Sequence, residues 1–212
     1  MRMPKIIPSV MAKNQTELNS QLKNLTSITK HIHLDIVDKN FANNKVMQFP
    51  FRLKRNFQYS AHLMIKDPLT WIKKNKSRIQ FPIPQLESLK DPQAYLTYIK
   101  QTKKPAALAI LPSTKINQIK PYIKELDYLL ILTVKPGFYG SKFIPKRLDI
   151  IKKVKSLSPK LKIIIDGHMN PKTIKLANKA GADHFIVGSY LNSQETNKQK
   201  KLALKKLKQI LN

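Results

Sequence analysis

Eight short apolar runs recur along this chain, with longer amphipathic stretches between most of them, and that alternation leaves few folds open. The runs are KIIPSVM (5 to 11), HIHLDIV (31 to 37), YSAHLMI (59 to 65), IQFPIPQL (79 to 86), PAALAILP (105 to 112), YLLILTV (128 to 134), KIIIDG (162 to 167) and HFIVGSY (184 to 190). Most are near-continuously apolar, as expected of parallel strands covered on both faces. Between them DPLTWIKKNK, DPQAYLTYIKQT, TKINQIKPYIKEL, PKRLDIIKKVKSL and NPKTIKLANKAG are amphipathic. Several of these open with Asp-Pro or Asn-Pro, an N-cap followed by proline at the first helical position. Eight such units predict an α/β fold of the (β/α)8 TIM-barrel type. The fourth run is interrupted by Pro82 and Pro84, which makes it the weakest strand. Segment 39 to 58 lacks helical periodicity and reads as a loop over the barrel mouth.

With 212 residues and 42% hydrophobic content, the chain can bury one sizeable core, and a single domain over 1–212 is expected. No apolar stretch approaches the ~20 residues needed to span a bilayer, and MRMPKIIPSVMAK is too short in its apolar part for a secretory signal. A soluble, cytoplasmic protein with no membrane partner is the expectation. Cysteine is absent, which excludes disulfides, thiolate nucleophiles and Cys-based metal sites.

A formal charge of +28 attracts polyanions without needing a dedicated site. Only Arg2, Arg52, Arg55, Arg78 and Arg147 are arginine, the residue suited to bidentate phosphate and base contacts. The lysines are scattered over nearly every segment and no nucleic-acid motif accompanies them, so a solvated basic surface, not a specific nucleic-acid partner, is expected.

Chemistry is concentrated at strand ends. His33 and Asp35 are two residues apart in one run, so their side chains face the same way. His62 in SAHLMI and Asp166 in KIIIDGH lie at comparable places in other runs. Imidazoles and carboxylates converging from three strands suit one divalent ion such as Zn, Fe(II), Mn or Co better than Ca or Mg. The two carboxylates could also move protons. In a barrel, groups at the C-terminal strand ends form the active site, and Ser9, Gly188 and Ser189 fall there as well. Of five glycines, Gly181 reads as a helix C-cap, while Gly137, Gly140, Gly167 and Gly188 follow strands six to eight, where barrels commonly bind phosphate through backbone N–H groups. His31 reads as structural, Asp38 as a turn residue, Trp71 as helix-to-barrel packing and the C-terminal QKKLALKKLKQILN as the last barrel helix.

PSVMAKN, HIHLDIVD, AHLM, LTVKPGFYGSKFIPKRLDIIKKV, IIIDGHMNP and GADHFIVGSYL, in this order over nearly the full length, resemble the ribulose-phosphate 3-epimerase family. The resemblance implies a ribulose-phosphate-binding barrel in which His33, Asp35, His62 and Asp166 hold a divalent metal. It implies that Asp35 and Asp166 are the acid/base pair, with Ser9, His62 and Met64 near a sugar-phosphate substrate. The phosphate would be held by Gly137, Phe138, Tyr139 and Gly140, by Gly167 and His168, and by Gly188 and Ser189. The implied reaction interconverts D-ribulose 5-phosphate and D-xylulose 5-phosphate in carbohydrate metabolism, and a homo-oligomer is compatible with it.

The chain departs from the family pattern at Lys39, Tyr139 and His168, where glycine is usual, and any of these is strained wherever φ is positive. Val37 and Leu132 replace pocket methionines. A six-carbon substrate such as D-allulose 6-phosphate would be served by the same metal and bases. Related barrel decarboxylases need Asp-x-Lys-x-x-Asp, where this chain has DIVDKN. Outside catalysis, the alternatives are a decayed barrel that binds phosphorylated ligands without turnover and a basic accessory protein.

Overall fold

In a computed structural model, which describes residues 5–41, 45–136 and 141–211, all eight apolar runs form strands. They are β1 (Ile6–Val10), β2 (His31–Val37), β3 (Gln58–Met64), β4 (Phe81–Pro84), β5 (Ala107–Ile110), β6 (Tyr128–Leu132), β7 (Lys162–Asp166) and β8 (His184–Val187). They pair in parallel in the order β4-β3-β2-β1-β8-β7-β6-β5. The sheet closes into a barrel through a seam at which β4 and β5 are joined by a bridge between Gln85 and Ala109. Pro82 and Pro84 give a physical reason for the seam's position, because each removes a ladder donor from β4. The strand interiors are buried throughout, which fits the unbroken apolar character of the runs.

Three helices open where Asp-Pro and Asn-Pro predict them. Asp67 caps α2 (Pro68–Asn75), Asp91 caps α3 (Pro92–Gln101) and Asn170 caps α6 (Pro171–Lys179), each followed by proline at the first helical position. Gly181, at φ +99°, terminates α6 as the pattern required. The other α-helices among the described residues are α1 (Gln15–Leu25), α4 (Ile116–Ile119), α5 (Asp149–Leu157), α7 (Ser189–Asn192) and α8 (Asn197–Ile210). TKINQIKPYIKEL departs from its amphipathic pattern, giving only the single turn of α4 and a 3₁₀ turn at Ile123–Glu125. Pro121 lacks an N–H and restricts Lys120 before it, which ends the helix. α8 turns Ala203, Leu204 and Leu207 inward and closes the barrel wall. Among the described residues no helix is long and apolar enough to cross a membrane.

Between β2 and β3 the described residues form no helix. Val46 exchanges two 3.0 Å hydrogen bonds with Val37, and Met47 N–H donates to Ala12 at 2.9 Å, so this segment packs at the C-terminal mouth. It then runs outward, where Phe51 meets Trp71 with ring centroids 6.5 Å apart, in keeping with a packing role for the indole. Asp38 is a turn residue, accepting from the N–H groups of Asn40 and Lys66. Lys39 is outside the left-handed region, so glycine is not required there.

Candidate active site

Parallel register sets the site. Ser9 pairs with His33 across β1 and β2, and Asp35 pairs with His62 across β2 and β3. Partners in a ladder lie at one level and project from the same face, so His33, Asp35 and His62 all point into the barrel. Asp166 reaches the same place from the end of β7, beside Leu132 of β6.

His33 and His62 are fully buried and Asp35 is 6% exposed. His33 Nε2 is 3.6 Å from Asp35 Oδ1, and His62 Nδ1 is 3.9 Å from the same oxygen and 3.5 Å from Asp166 Oδ2. One ligand atom from each of the four residues lies within 4.8 Å of all the others. Buried polar atoms almost always have hydrogen-bond partners. Here His33 Nε2, Asp35 Oδ1 and His62 Nδ1 are buried without one, and they point at a common centre. Two imidazole nitrogens and two carboxylates around that point are the donor set of a Zn, Fe(II), Mn or Co site, so these residues can hold a divalent cation.

The far side of each imidazole is occupied. His33 Nδ1 is 2.8 Å from Ser60 Oγ, and His62 Nε2 is 2.6 Å from Gln85 Oε1. Burial pushes the His62 pKa down, but the proximity and charge of Asp166, then Asp35 and the Gln85 contact, outweigh it and hold the value above 6.5. A ring facing two carboxylates holds a proton more tightly than a free imidazole does, and a cation bound there would compete with that proton.

One cleft at the C-terminal mouth brings together Ser9, Asp35, Met64, Asp166, Gly167, His168, Gly188 and Ser189. Leu132 lines it too, whereas Val37 is buried in the core. The run HFIVGSY is strand only as far as Val187; Gly188 turns the chain and Ser189 opens α7. Gly167 has φ +117°, and a Cβ there would lie 2.8 Å from both methyls of Val134 and 2.9 Å from Thr133 Oγ1. His168 has φ +54°, the left-handed conformation that disfavours a side chain. Gly137, Phe138, Tyr139 and Gly140 lie outside the described residues.

Sequence reasoning missed Ser60, Gln85 and Met11, which also lines the cleft. Ser60 shares the parity of His62 along β3, a signal available in principle once the register with His33 is known. Gln85 had no local signal, since it follows a proline-broken strand.

The sequence matches the ribulose-phosphate 3 epimerase family over residues 5–192. It is 28% identical to a ribulose-phosphate 3-epimerase of Bacillus subtilis, an alignment covering 93% of this chain and 96% of that protein. It is 27% identical to a ribulose-phosphate 3-epimerase of Candida glabrata, covering 88% of this chain and 85% of that one. The fold resembles the crystal structure of 3-keto-L-gulonate-6-phosphate decarboxylase from Vibrio cholerae, with a TM-score of 0.70 at 12% identity and 98% coverage of both chains. Together with a barrel whose strand ends carry this His/Asp cluster, these matches identify the chain as an isomerase belonging to the ribulose-phosphate 3-epimerase family.

Proposed function

We propose that the protein interconverts D-ribulose 5-phosphate and D-xylulose 5-phosphate by two-base proton transfer in the cleft above β2, β3 and β7. The observation that carries this reading is the trio of buried, unpartnered atoms, His33 Nε2, Asp35 Oδ1 and His62 Nδ1, converging beside Asp166. His33, Asp35, His62 and Asp166 would hold the divalent ion, which when bound supplies Lewis-acid stabilisation to negative charge on the substrate oxygens.

Asp35 and Asp166 come from strands separated in the barrel by β1 and β8, so they approach a bound sugar from different sides. One carboxylate takes the C3 proton, and the C3–H electron pair delocalises onto the adjacent carbonyl to give an enediolate. The other, already protonated, returns a proton to the opposite face of C3 and inverts the centre. Ser9 and Met64 flank the substrate, one as a hydroxyl donor or acceptor and the other as an apolar wall. Gly167, His168, Gly188 and Ser189, with Gly137, Phe138, Tyr139 and Gly140 earlier in the chain, are assigned to the phosphate.

A coupled epimerase assay on protein of defined metal content tests the proposal. Turnover of ribulose 5-phosphate that rises with metal occupancy is expected. Protein with one bound ion per chain and no turnover of ribulose 5-phosphate would overturn it.

A further inference from the structure

Behind the candidate metal ligands, a hydrogen-bonded file leads from the buried His62 and Gln85 to the exposed Glu87 at the barrel seam. His62 Nε2 meets Gln85 Oε1 at 2.6 Å, and Gln85 Nε2 donates to Glu87 Oε2 at 2.6 Å. The other Glu87 oxygen accepts from the Leu111 N–H at 3.1 Å and from the Thr114 hydroxyl. Arg147 donates to the Thr114 carbonyl at 2.8 Å and lies close enough for its charge to act on Glu87. Gln85 is fully buried, and its own N–H is committed to the Leu63 carbonyl at 3.1 Å.

The order of donors along this file has one solution. An ionised Glu87 only accepts, so the Gln85 group facing it must be the NH₂. Amide orientation is ordinarily ambiguous, but a carboxylate partner removes the ambiguity. The Gln85 oxygen is then left for His62, and an oxygen there can only accept. His62 must therefore carry hydrogen on Nε2, which leaves Nδ1 as the nitrogen that faces Asp35 and Asp166 and can give its lone pair to a cation in place of a proton. A metal-ligating histidine needs this arrangement, because the far ring nitrogen fixes the tautomer and the ring orientation.

We infer that Gln85 is a positioning residue for the metal centre: it locks His62 as the Nε2–H tautomer with Nδ1 aimed at the cation, and Glu87 selects the amide orientation that makes this possible. The inference rests on the metal reading of the site given above. It also assigns a purpose to the seam. Glu87 is tied to the end of β5 and, through Thr114 and Arg147, to the segment that leads into α5, so the His62 ring is referenced to the side of the barrel where β4 and β5 share little ladder.

Three variants test it: Gln85→Leu, Gln85→Glu and the exchange Gln85→Glu with Glu87→Gln. Leucine removes the acceptor and leaves a buried N–H unpaired. Glutamate alone sets two carboxylates against each other, whereas the exchange restores an acceptor for His62 and a donor at position 87. Zinc affinity is read by competition with a chelator, and site geometry by the visible spectrum of the cobalt-loaded protein. Zinc affinity is expected to fall about 10- to 100-fold in Gln85→Leu and Gln85→Glu, with altered cobalt bands, and to return to within a few-fold of wild type in the exchange. If Gln85→Leu does not fold, Gln85→Glu against the exchange decides, and equal affinities in those two overturn the inference. Wild type that binds zinc, together with a Gln85→Leu protein matching it in affinity and cobalt spectrum, overturns the role of Gln85 alone. Wild type that takes up neither zinc nor cobalt stoichiometrically overturns the metal reading and this inference with it.

Discussion

Asp35 and His62 are direct partners in the β2–β3 ladder, and their facing atoms, Oδ1 and Nδ1, lie 3.9 Å apart with neither making a hydrogen bond. Two buried polar atoms held at this separation by backbone register leave a gap between them that neither can close. Leaving such groups unsatisfied costs about 1–3 kcal/mol each. A cation coordinated by both would remove that cost, so metal should contribute to stability as well as to chemistry.

Metal content follows first. About one divalent ion per chain is expected, and His62→Ala should lower affinity by ~10-fold or more, the scale set by even indirect changes around metal sites. Elemental analysis of metal-supplemented protein measures the stoichiometry. Chelation should also lower the melting temperature of wild type and leave that of His62→Ala nearly unchanged.

The second expectation concerns pH. In the metal-free protein His62 has a pKa raised above 6.5, chiefly by Asp166 working against burial. A raised folded-state value means that the native protein holds the proton more tightly than the unfolded chain does. The stability it contributes is fully present below pH 6.5 and is lost as pH rises through the folded value. Metal-free wild type should therefore lose stability relative to His62→Gln on going from below 6.5 to alkaline pH. Cation binding displaces the same proton, so metal affinity should rise over that range. Thermal melts and metal titrations at a series of pH values measure both, and a flat metal affinity across it would count against His62 as ligand.

Backbone at the end of β7 gives a third. Gly167→Ala would place a Cβ 2.8 Å from both branches of Val134 at φ +117°, and neither the β-branched side chain nor the backbone can yield cheaply. A loss of at least about 2 kcal/mol is expected. Thr133 Oγ1 donates to the carbonyls of both Asp166 and Gly167 at 2.9 Å, so the damage should reach the metal site. His168→Gly should act in the other direction. Relief of a left-handed conformation is worth about 1–2 kcal/mol, offset by the greater freedom of unfolded glycine, for a net gain of up to about 1 kcal/mol. Denaturant melts of the two variants should move apart from wild type with opposite sign.

How far the site was legible in the sequence follows from which of its geometry is local. The spacing of His33 and Asp35 fixes a shared face in any strand, and Asp-Pro and Asn-Pro pairs fix helix starts whatever surrounds them. Ser60 behind His33 and Gln85 behind His62 depend on register and on how the β4–β5 seam closes, which no single segment encodes. The early end of α4 before Pro121 was readable in principle, but the apolar spacing of 116–125 masked the break. Positive φ at Gly167 was foreseeable from glycine. At His168 it was visible only as a departure from the resembled pattern, because nothing local predicts a left-handed histidine.

The last prediction separates proton transfer from metal binding. Asp35→Asn and Asp166→Asn each keep an oxygen that can face the cation while removing a base. Epimerisation should fall by the ~10² to 10⁴ typical of general acid/base groups in both variants, and further where metal is also lost, so metal content must be measured on the same samples. Wild type turning over ribulose 5-phosphate in D₂O should place deuterium at C3 of the xylulose 5-phosphate formed. The two variants should differ from each other and from metal-stripped protein. With one face of the sugar still served by its carboxylate, a variant should exchange the C3 hydrogen of one epimer with solvent without converting it, and the other variant should do so for the opposite epimer. Metal-stripped wild type keeps both carboxylates and should exchange neither epimer efficiently, since charge on the substrate oxygens is then unsupported. Proton NMR of each sugar phosphate after incubation in D₂O reads the outcome directly, and full epimerase activity in either Asn variant would overturn the two-base assignment.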